Sequence, residues 1–436
     1  MSYNNLLLLL PYILVMISIW TVYNWRRSSQ TKYNRAHIEK AKSQGLTEPA
    51  SLHPVIDHAL CIGCTACIDA CPEKKVLGLI DGKATLINPT SCIGHGACQT
   101  ACPTKGITLV FGTEKRGVDI PLVKPNFETN IPGIFIAGEL GGMGLIRNAV
   151  SQGQQAVYAI SKLEGLNKPN VLDLVIVGAG PTGIAAALAA KAHNLNYVVL
   201  EQDSLGGTIA HYPRGKLVMT APTELPIVGK MPFTETSKEE VMAFWETVTE
   251  EQQLDIRYHE RVENVDAEVN SFTVKTPHNS YVCRSVLLAI GRRGTPRKLG
   301  VPGEDLTKVV YRLIDPQQYQ GQHVLVIGGG DSALEAACSV AEEPNTTVTL
   351  SYRSDSFSRA KPKNRERVTK NEQAGHLCVI LSSKVTKVTD STIFLNQGND
   401  QIELKNDAVI VCAGGILPTP FLKSIGIEVE TKFGTT

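Results

Sequence analysis

The sequence predicts an α/β protein of two parallel-sheet domains, preceded by a small α+β module and one N-terminal transmembrane helix. Three observations carry that prediction. Two strands, Val171 to Val177 and His323 to Ile327, each run into a glycine-rich turn that opens a helix. Seven of the 11 cysteines crowd between Cys61 and Cys102. The first 25 residues carry no charged side chain. The 436 residues suffice for two or three domains with their own cores, and a hydrophobic content of 43% excludes a disordered or fibrous chain. A formal net charge of +1 offers no basic face to neutralise phosphates, so nucleic acid is not an expected partner.

At the N-terminus, Leu6 to Tyr23 is almost wholly apolar, with Trp20, Tyr23 and Trp25 at its far end. About 20 apolar residues span a bilayer, and Pro11 is tolerable within such a span. A cleaved signal peptide needs positive charge ahead of the apolar run. Here Arg26, Arg27, Lys32, Arg35, Lys40 and Lys42 follow it, opposed by Glu39 alone. The positive-inside bias therefore predicts a single-pass anchor over residues 1–25 in the inner (cytoplasmic) membrane, a juxtamembrane linker over 26–56, and downstream domains facing the cytoplasm.

Within residues 57–112, Cys61, Cys64, Cys67 and Cys71 are spaced C-x2-C-x2-C-x3-C and followed by Pro72. This is the run that binds a cubane 4Fe–4S cluster. A second run, Cys92, His95, Cys98 and Cys102 with Pro103, keeps the spacing but replaces the second cysteine with histidine. Zinc sites instead pair C-x2-C groups that lie apart, without the third cysteine or the trailing proline. The module resembles a two-cluster bacterial ferredoxin domain. That resemblance implies a crossover, grouping Cys61, Cys64 and Cys67 with Cys102, and Cys92, His95 and Cys98 with Cys71. His95 is open to three readings: an iron ligand, a neighbour of an open iron, or a spacer between Gly94 and Gly96. As a ligand, a neutral imidazole in place of a thiolate would make its cluster easier to reduce.

The first glycine turn reads Gly178-Ala-Gly180-Pro181-Thr-Gly183, and the next strand, Tyr197 to Leu200, ends in Glu201. Glycines permit the tight turn and the close approach of a pyrophosphate to a helix N-terminus, while the acid is placed to accept from a ribose hydroxyl. The second turn reads Gly328-Gly-Gly330-Asp-Ser-Ala333. Two Rossmann-like sites in one chain imply FAD and NAD(P). After the second domain's next strand come Ser351, Tyr352 and Arg353, with Arg359 further on and no acid at the strand end, although Asp355 is near. A guanidinium there suits a 2′-phosphate and favours NADPH over NADH.

With Gly206-Gly207-Thr208, Ala289-Ile-Gly291, Val301-Pro-Gly303-Glu304 and Pro132-Gly-Ile-Phe-Ile-Ala-Gly138-Glu139, these pieces make residues 122–436 resemble the thioredoxin reductase superfamily. In that family a redox C-x2-C precedes the second fingerprint; here Tyr311-Arg-Leu-Ile-Asp315-Pro316 has no cysteine. The resemblance is therefore to its dithiol-free members, the ferredoxin–NADP reductase-like and bacillithiol disulfide reductase-like proteins. The family's Pro-Gly-Ile-Phe-x-Ala-Gly-Asp segment closes the chain, whereas here its counterpart precedes the first fingerprint, which implies a circular permutation. Glu139 replaces the usual aspartate. The expected FAD-binding domain covers residues 113–292 with 416–436, and the NAD(P)-binding domain 293–415.

The resemblance implies an NAD(P)H oxidoreductase that moves electrons between a nicotinamide and two 4Fe–4S clusters through FAD, with cofactor contacts at Gly138, Glu139, Gly178, Gly180, Pro181, Gly183, Glu201, Gly207, Thr208, Gly328, Gly330, Ala333, Arg353 and Arg359. Expected partners are the membrane through the N-terminal helix, a ferredoxin, cytochrome or quinone, and a second copy in a homodimer. Alternatives are a low-molecular-weight disulfide reductase and a non-enzymatic redox sensor or docking subunit, against which two intact fingerprints count. No catalytic acid–base residue is assigned. Tyr212-Pro-Arg214-Gly-Lys216 reads as a surface turn, Cys283, Cys338, Cys378 and Cys412 as buried residues, and His211 and His323 receive no role.

Overall fold

The computed structural model describes residues 3–434 apart from 44–46, 48, 50, 51, 74, 93, 115, 116, 142–144, 220, 221, 293 and 359; of residues 3–10, 217, 219 and 295 it describes the backbone. The chain divides into two compact units, residues 1–116 with 433–436, and residues 117–432.

The first unit opens with α1 (Tyr3–Ser43), which runs through Pro11. Among the described residues no helix is long and apolar enough to cross a membrane. The expected transmembrane anchor over 1–25, and the single-pass inner-membrane placement that depended on it, are corrected accordingly. Past Trp25, α1 carries Arg26, Arg27, Lys32, Arg35, Lys40 and Lys42, so the helix continues as a strongly basic one. Residues 1–10, the first part of the expected span, lie outside the described side chains. Further along α1, Asn34 is buried and its Nδ2 donates to the Leu79 carbonyl at 2.8 Å. This pins the helix to a hairpin of β2 (Leu77–Ile80) and β3 (Lys83–Leu86), which follow β1 (His53–Ile56) and the short α2 (Ala66–Asp69). The hairpin turn, Asp81 and Gly82, has φ of 51° and 78°, the pair of positive angles that a two-residue turn matched to strand twist requires. Then α3 (Ala97–Thr100) leads to β4 (Ile107–Val110), which pairs antiparallel with β1. Cys67 and Cys98 are buried with Val76, Leu77, Ala84 and Ile107 in this unit's core.

The second unit begins with β5 (Val118–Pro121), β6 (Ile134–Ile136) and α4 (Ile146–Ile160). The first fingerprint is β7 (Leu172–Val177), α5 (Pro181–Ala192) and β8 (Tyr197–Leu200). Val175, Ile176 and Val177 are buried, as a parallel strand covered on both faces demands. Four short strands, β9 to β12 (Leu217–Met219, Thr223–Leu225, Gly229–Met231, Glu235–Ser237), precede α6 (Lys238–Glu251), whose Ser237 and Glu240 form a reciprocal capping box. The sheet is completed by β13 (Ile256–Arg257), β14 (Asn264–Glu268), β15 (Ser271–Lys275) and β16 (Ser280–Leu288), in the order β13-β8-β7-β16-β15-β14. The long β16 pairs first with β15 and then, at Val286 to Leu288, in parallel with β6. The permuted segment thus supplies a strand of this sheet.

On α4 the buried residues Ala149, Val150, Gly153, Ala156, Val157 and Ile160 recur at helical spacing and face α5. A Cβ at Gly153 would lie 2.4 Å from the Thr182 carbonyl oxygen, so glycine lets the helices touch backbone to backbone. The second nucleotide-type sheet comprises β18 (Val309–Val310), β19 (His323–Ile327), β20 (Thr347–Ser351), β21 (Leu377–Ile380) and β25 (Ala408–Val411), all parallel in the order β18-β25-β19-β20-β21. Around it lie α7 (Asp331–Ala341), α8 (Pro362–Gln373), a meander of β22 (Ser383–Val388), β23 (Thr392–Gln397) and β24 (Asp400–Lys405), and a clip of β17 (Thr295–Pro296) with β26 (Gly415–Ile416). After α9 (Thr419–Ser424), β27 (Val429–Lys432) pairs antiparallel with β5, Val429 opposite Pro121. The strand β27 therefore lies beside residue 120, as the permuted order requires.

Candidate functional site

The cysteine runs converge as two groups. Cys61, Cys64, Cys67 and Cys102 line one small cavity together with Ile56, Gly63 and Thr104. Burial pushes the Cys67 thiol up, and Cys61, Cys64 and Cys102 add to this as like charges. A hydrogen bond with the Thr104 hydroxyl instead holds Cys102 below the usual thiol range. The second group is Cys71, Cys92 and Cys98: burial drives Cys98 up to about 11, with Cys92 and Cys71 contributing as neighbours. His95 accepts a hydrogen bond at Nδ1 from the Ala97 amide, 3.3 Å away. None of these cysteines is disulfide-bonded. Among the described residues no three Cys, His, Asp or Glu side chains close on a point that a single metal ion could occupy. Thiols that cost energy as thiolates, four of them around one small cavity, fit iron–sulfur clusters, which need deprotonated sulfur and return the cost on binding.

At the first fingerprint, Gly178 has φ of 107° and a Cβ there would lie 2.7 Å from the Ala289 carbonyl oxygen. A Cβ at Gly183 would sit 1.8 Å from the Gly178 carbonyl oxygen. Gly207 crosses over Gly180, its missing Cβ 3.1 Å from the Gly180 Cα. Gly180 caps α5 without a side-chain bond and Pro181 opens it, leaving the first amides directed outward. Glu201 is buried; its two carboxylate oxygens accept from the Ala179 amide at 2.7 Å and the Asp203 amide at 2.9 Å. Burial raises its carboxyl above the ordinary range, and those amides oppose the rise. Gly138, donated by the permuted segment, has a missing Cβ 2.2 Å from Thr182 Oγ1 and donates its amide to Gln152 Oε1 at 2.8 Å, so it touches the first turn. A turn with room for backbone only, an uncapped helix and a buried acid fit the pyrophosphate and ribose of FAD.

A cleft of ≈ 890 Å³ lies between the two nucleotide-type sheets, lined by Glu139 and Thr208 on one side and Gly328, Gly330 and Arg353 on the other. Eight cations line it, Lys216, Arg292, Arg297, Lys298, Arg312, Arg353, Lys361 and Lys384, against Glu139, Asp331 and Glu335. That balance suits a phosphate-bearing ligand. A Cβ at Gly328 would lie 2.4 Å from the Cys412 carbonyl oxygen and 2.9 Å from the buried Ala333, so the first glycine of this turn is as closely packed as Gly178. The Tyr352 ring covers Gly329 and stacks on Phe357 at 5.7 Å. Ser351, where an acid would select NADH, is buried and hydrogen-bonded to Ser383 at 2.8 Å. Arg353 is exposed in the cleft; Arg359 lies outside the described residues.

Sequence reasoning missed several groups. Arg312, from the stretch that carries the dithiol in the resembled family, donates to His211 Nδ1, and both approach Asp203, at 3.4 and 3.5 Å. Lys216 pairs with Glu335, and Arg214 lies 3.5 Å from Asp315. The supposed surface turn thus fastens one nucleotide-type domain to the other, with Tyr212 and Lys216 in the cleft wall. Opposite charges about a hundred residues apart leave no local signal by which to find them. Of the scattered cysteines, Cys283 and Cys338 are buried, with Cys283 pushed up to about 12 by burial, whereas Cys378 is exposed and Cys412 lines the cleft.

Two glycine cradles, the second lining a cationic cleft, in one chain with clustered thiols, define an oxidoreductase that uses flavin, nicotinamide and iron–sulfur cofactors. Residues 175–435 match the family of pyridine nucleotide-disulphide oxidoreductases, and the chain belongs to it. Residues 53–103 match a 4Fe–4S dicluster domain. The chain is 27% identical over 266 residues to bacilliredoxin reductase of Bacillus subtilis, covering 60% of this chain and 82% of that one. It is 28% identical over 268 residues to ferredoxin–NADP reductase of Ignicoccus hospitalis, with 60% and 83% covered. Among solved structures, bacillithiol disulfide reductase of Staphylococcus aureus is similar at a TM-score of 0.51 and 26% identity, covering 58% of this chain and 80% of that one. The chain is an FAD-dependent oxidoreductase.

Proposed function

We propose that the chain passes electrons between NADPH and its own iron–sulfur module through FAD, to or from a redox protein such as a ferredoxin. The observation that carries this reading is the four-thiol cavity of Cys61, Cys64, Cys67 and Cys102 in a chain that also holds two glycine cradles. When bound, FAD supplies the exchange between the paired electrons of a hydride and the single electrons that clusters carry. Gly178, Gly180, Pro181, Gly183 and Gly207 would admit its pyrophosphate, Glu201 would accept from its ribose, and Gly138, Glu139 and Thr208 would supply further cofactor contacts. Gly328, Gly330 and Ala333 do the same for the nicotinamide's pyrophosphate, and Arg353, with Arg359, meets the 2′-phosphate. Cys71, Cys92 and Cys98, with His95 as a candidate, hold the second cluster.

A second reading, reduction of a low-molecular-weight disulfide, is favoured by the likeness to bacilliredoxin reductase. The test compares acceptors under anaerobic NADPH. Turnover with a ferredoxin, lost when the cysteines of the first run are replaced, is expected. Turnover with a disulfide alone, indifferent to those replacements, would support the second reading.

A further inference from the structure

We infer that the chain sets its two clusters at different potentials with charges of its own, making the group at Cys61, Cys64, Cys67 and Cys102 the electron sink; this rests on the two-cluster reading above. Cluster potential follows net charge, hydrogen bonds to the sulfurs and solvent exposure. Neighbouring positive charge and solvent exposure favour reduction at the first group, against its one additional thiolate. Lys83 Nζ donates to the Cys61 carbonyl at 2.7 Å, and the next amide, Ala84, donates to Cys61 Sγ at 3.3 Å. Arg27, brought by α1, rests against the same hairpin turn: a Cβ at Gly82 would lie 2.2 Å from its guanidinium. Gly82 in turn abuts Gly63, between two ligand cysteines, where a Cβ would lie 2.2 Å from the Gly82 carbonyl oxygen. Cys64 is exposed.

The second group is placed oppositely. Glu73 follows Cys71 by two residues, and Cys71 Sγ lies 3.2 Å from the Glu73 carbonyl oxygen. Glu73 brings a carboxylate into the segment that follows this ligand, where the first group has Lys83. Cys98 is buried. The amide of Ala97 points at His95 Nδ1. This ordering is the opposite of the one that imidazole ligation of the second cluster would give. In the step itself one electron leaves the second cluster and reduces the first; no bond forms or breaks and no proton moves.

The experiment is an anaerobic redox titration of the full chain followed by electron paramagnetic resonance, on wild type, Lys83→Met and Glu73→Gln. Lys83→Met should lower the higher midpoint, shifting the electron distribution between clusters about tenfold, which is ~59 mV for one electron. Glu73→Gln should raise the lower midpoint. Lys83→Arg, which keeps the charge, should stay at the wild-type value and separates charge from packing. A Lys83→Met effect on the lower midpoint, equal shifts of both, or no shift would overturn the inference. A single cluster signal per chain would overturn the two-cluster reading along with it.

Discussion

Replacing Gly183 with alanine tests the first cradle most sharply. Its Cβ would lie 1.8 Å from the Gly178 carbonyl oxygen and 2.9 Å from the carbonyl carbon, whereas real Cβ contacts do not fall below 3.0 Å, so the turn must retreat by about 1.2 Å. The obstacle is backbone, which no rotamer change relieves. Overpacking of this kind costs ~1–3 kcal/mol. If the displaced turn loses that much affinity for the flavin pyrophosphate, Kd rises roughly 5- to 150-fold. Gly330 in the second turn meets nothing within 4 Å, so Gly330→Ala should leave stability within about 0.5 kcal/mol of wild type. The assay is the flavin-to-protein ratio after gel filtration, with urea unfolding in parallel. Wild-type flavin content and Kd in Gly183→Ala would refute the assignment of this turn to FAD.

Three further outcomes follow from the same geometry. Cys102→Ser should remove the cluster of the first cysteine run and leave the second, read by iron content and electron paramagnetic resonance; loss of the second cluster instead would refute the crossover grouping. Arg353→Ala should narrow a preference for NADPH over NADH in stopped-flow flavin reduction, and equal rates with both in the wild type would show that Arg353 is only a surface charge. Burial pushes the Glu304 carboxyl up, but the Tyr311 hydroxyl, the Leu299 amide and the Gly300 amide at 2.7 Å outweigh it and hold the group below the ordinary range. Its stabilisation is thus present above the unfolded carboxyl value of ~4.3 and lost as pH falls through the folded value. Glu304→Gln should cost ~1–3 kcal/mol near neutrality and flatten the acid side of the stability curve, measured by urea unfolding. An unchanged acid limb would contradict the linkage.

What was legible in the sequence was chemistry with a fixed local spacing. The cysteine runs and both glycine turns are read within a dozen residues, because a cubane and a pyrophosphate each dictate where backbone and sulfur must be. Even the permutation could be read, since the Pro132 to Glu139 segment keeps its pattern wherever it occurs in the chain, and it returns to the sheet at β6. The transmembrane span could not be judged from composition alone, because the same apolar start continues into α1, which carries Arg26 and Arg27 and buries Asn34 on the β2–β3 hairpin. His211, Lys216 and Lys83 acquire their partners only when distant segments meet, so nothing local marks them.

The most direct measurement of the central claim is anaerobic addition of NADPH to the purified full chain, with reduced clusters counted by electron paramagnetic resonance, in wild type and in flavin-depleted Gly183→Ala. The account predicts that NADPH reduces the clusters in wild type and fails to in the variant, while dithionite reduces them in both. Cluster reduction by NADPH at the same rate without flavin, or none in wild type that carries its full flavin, would contradict it.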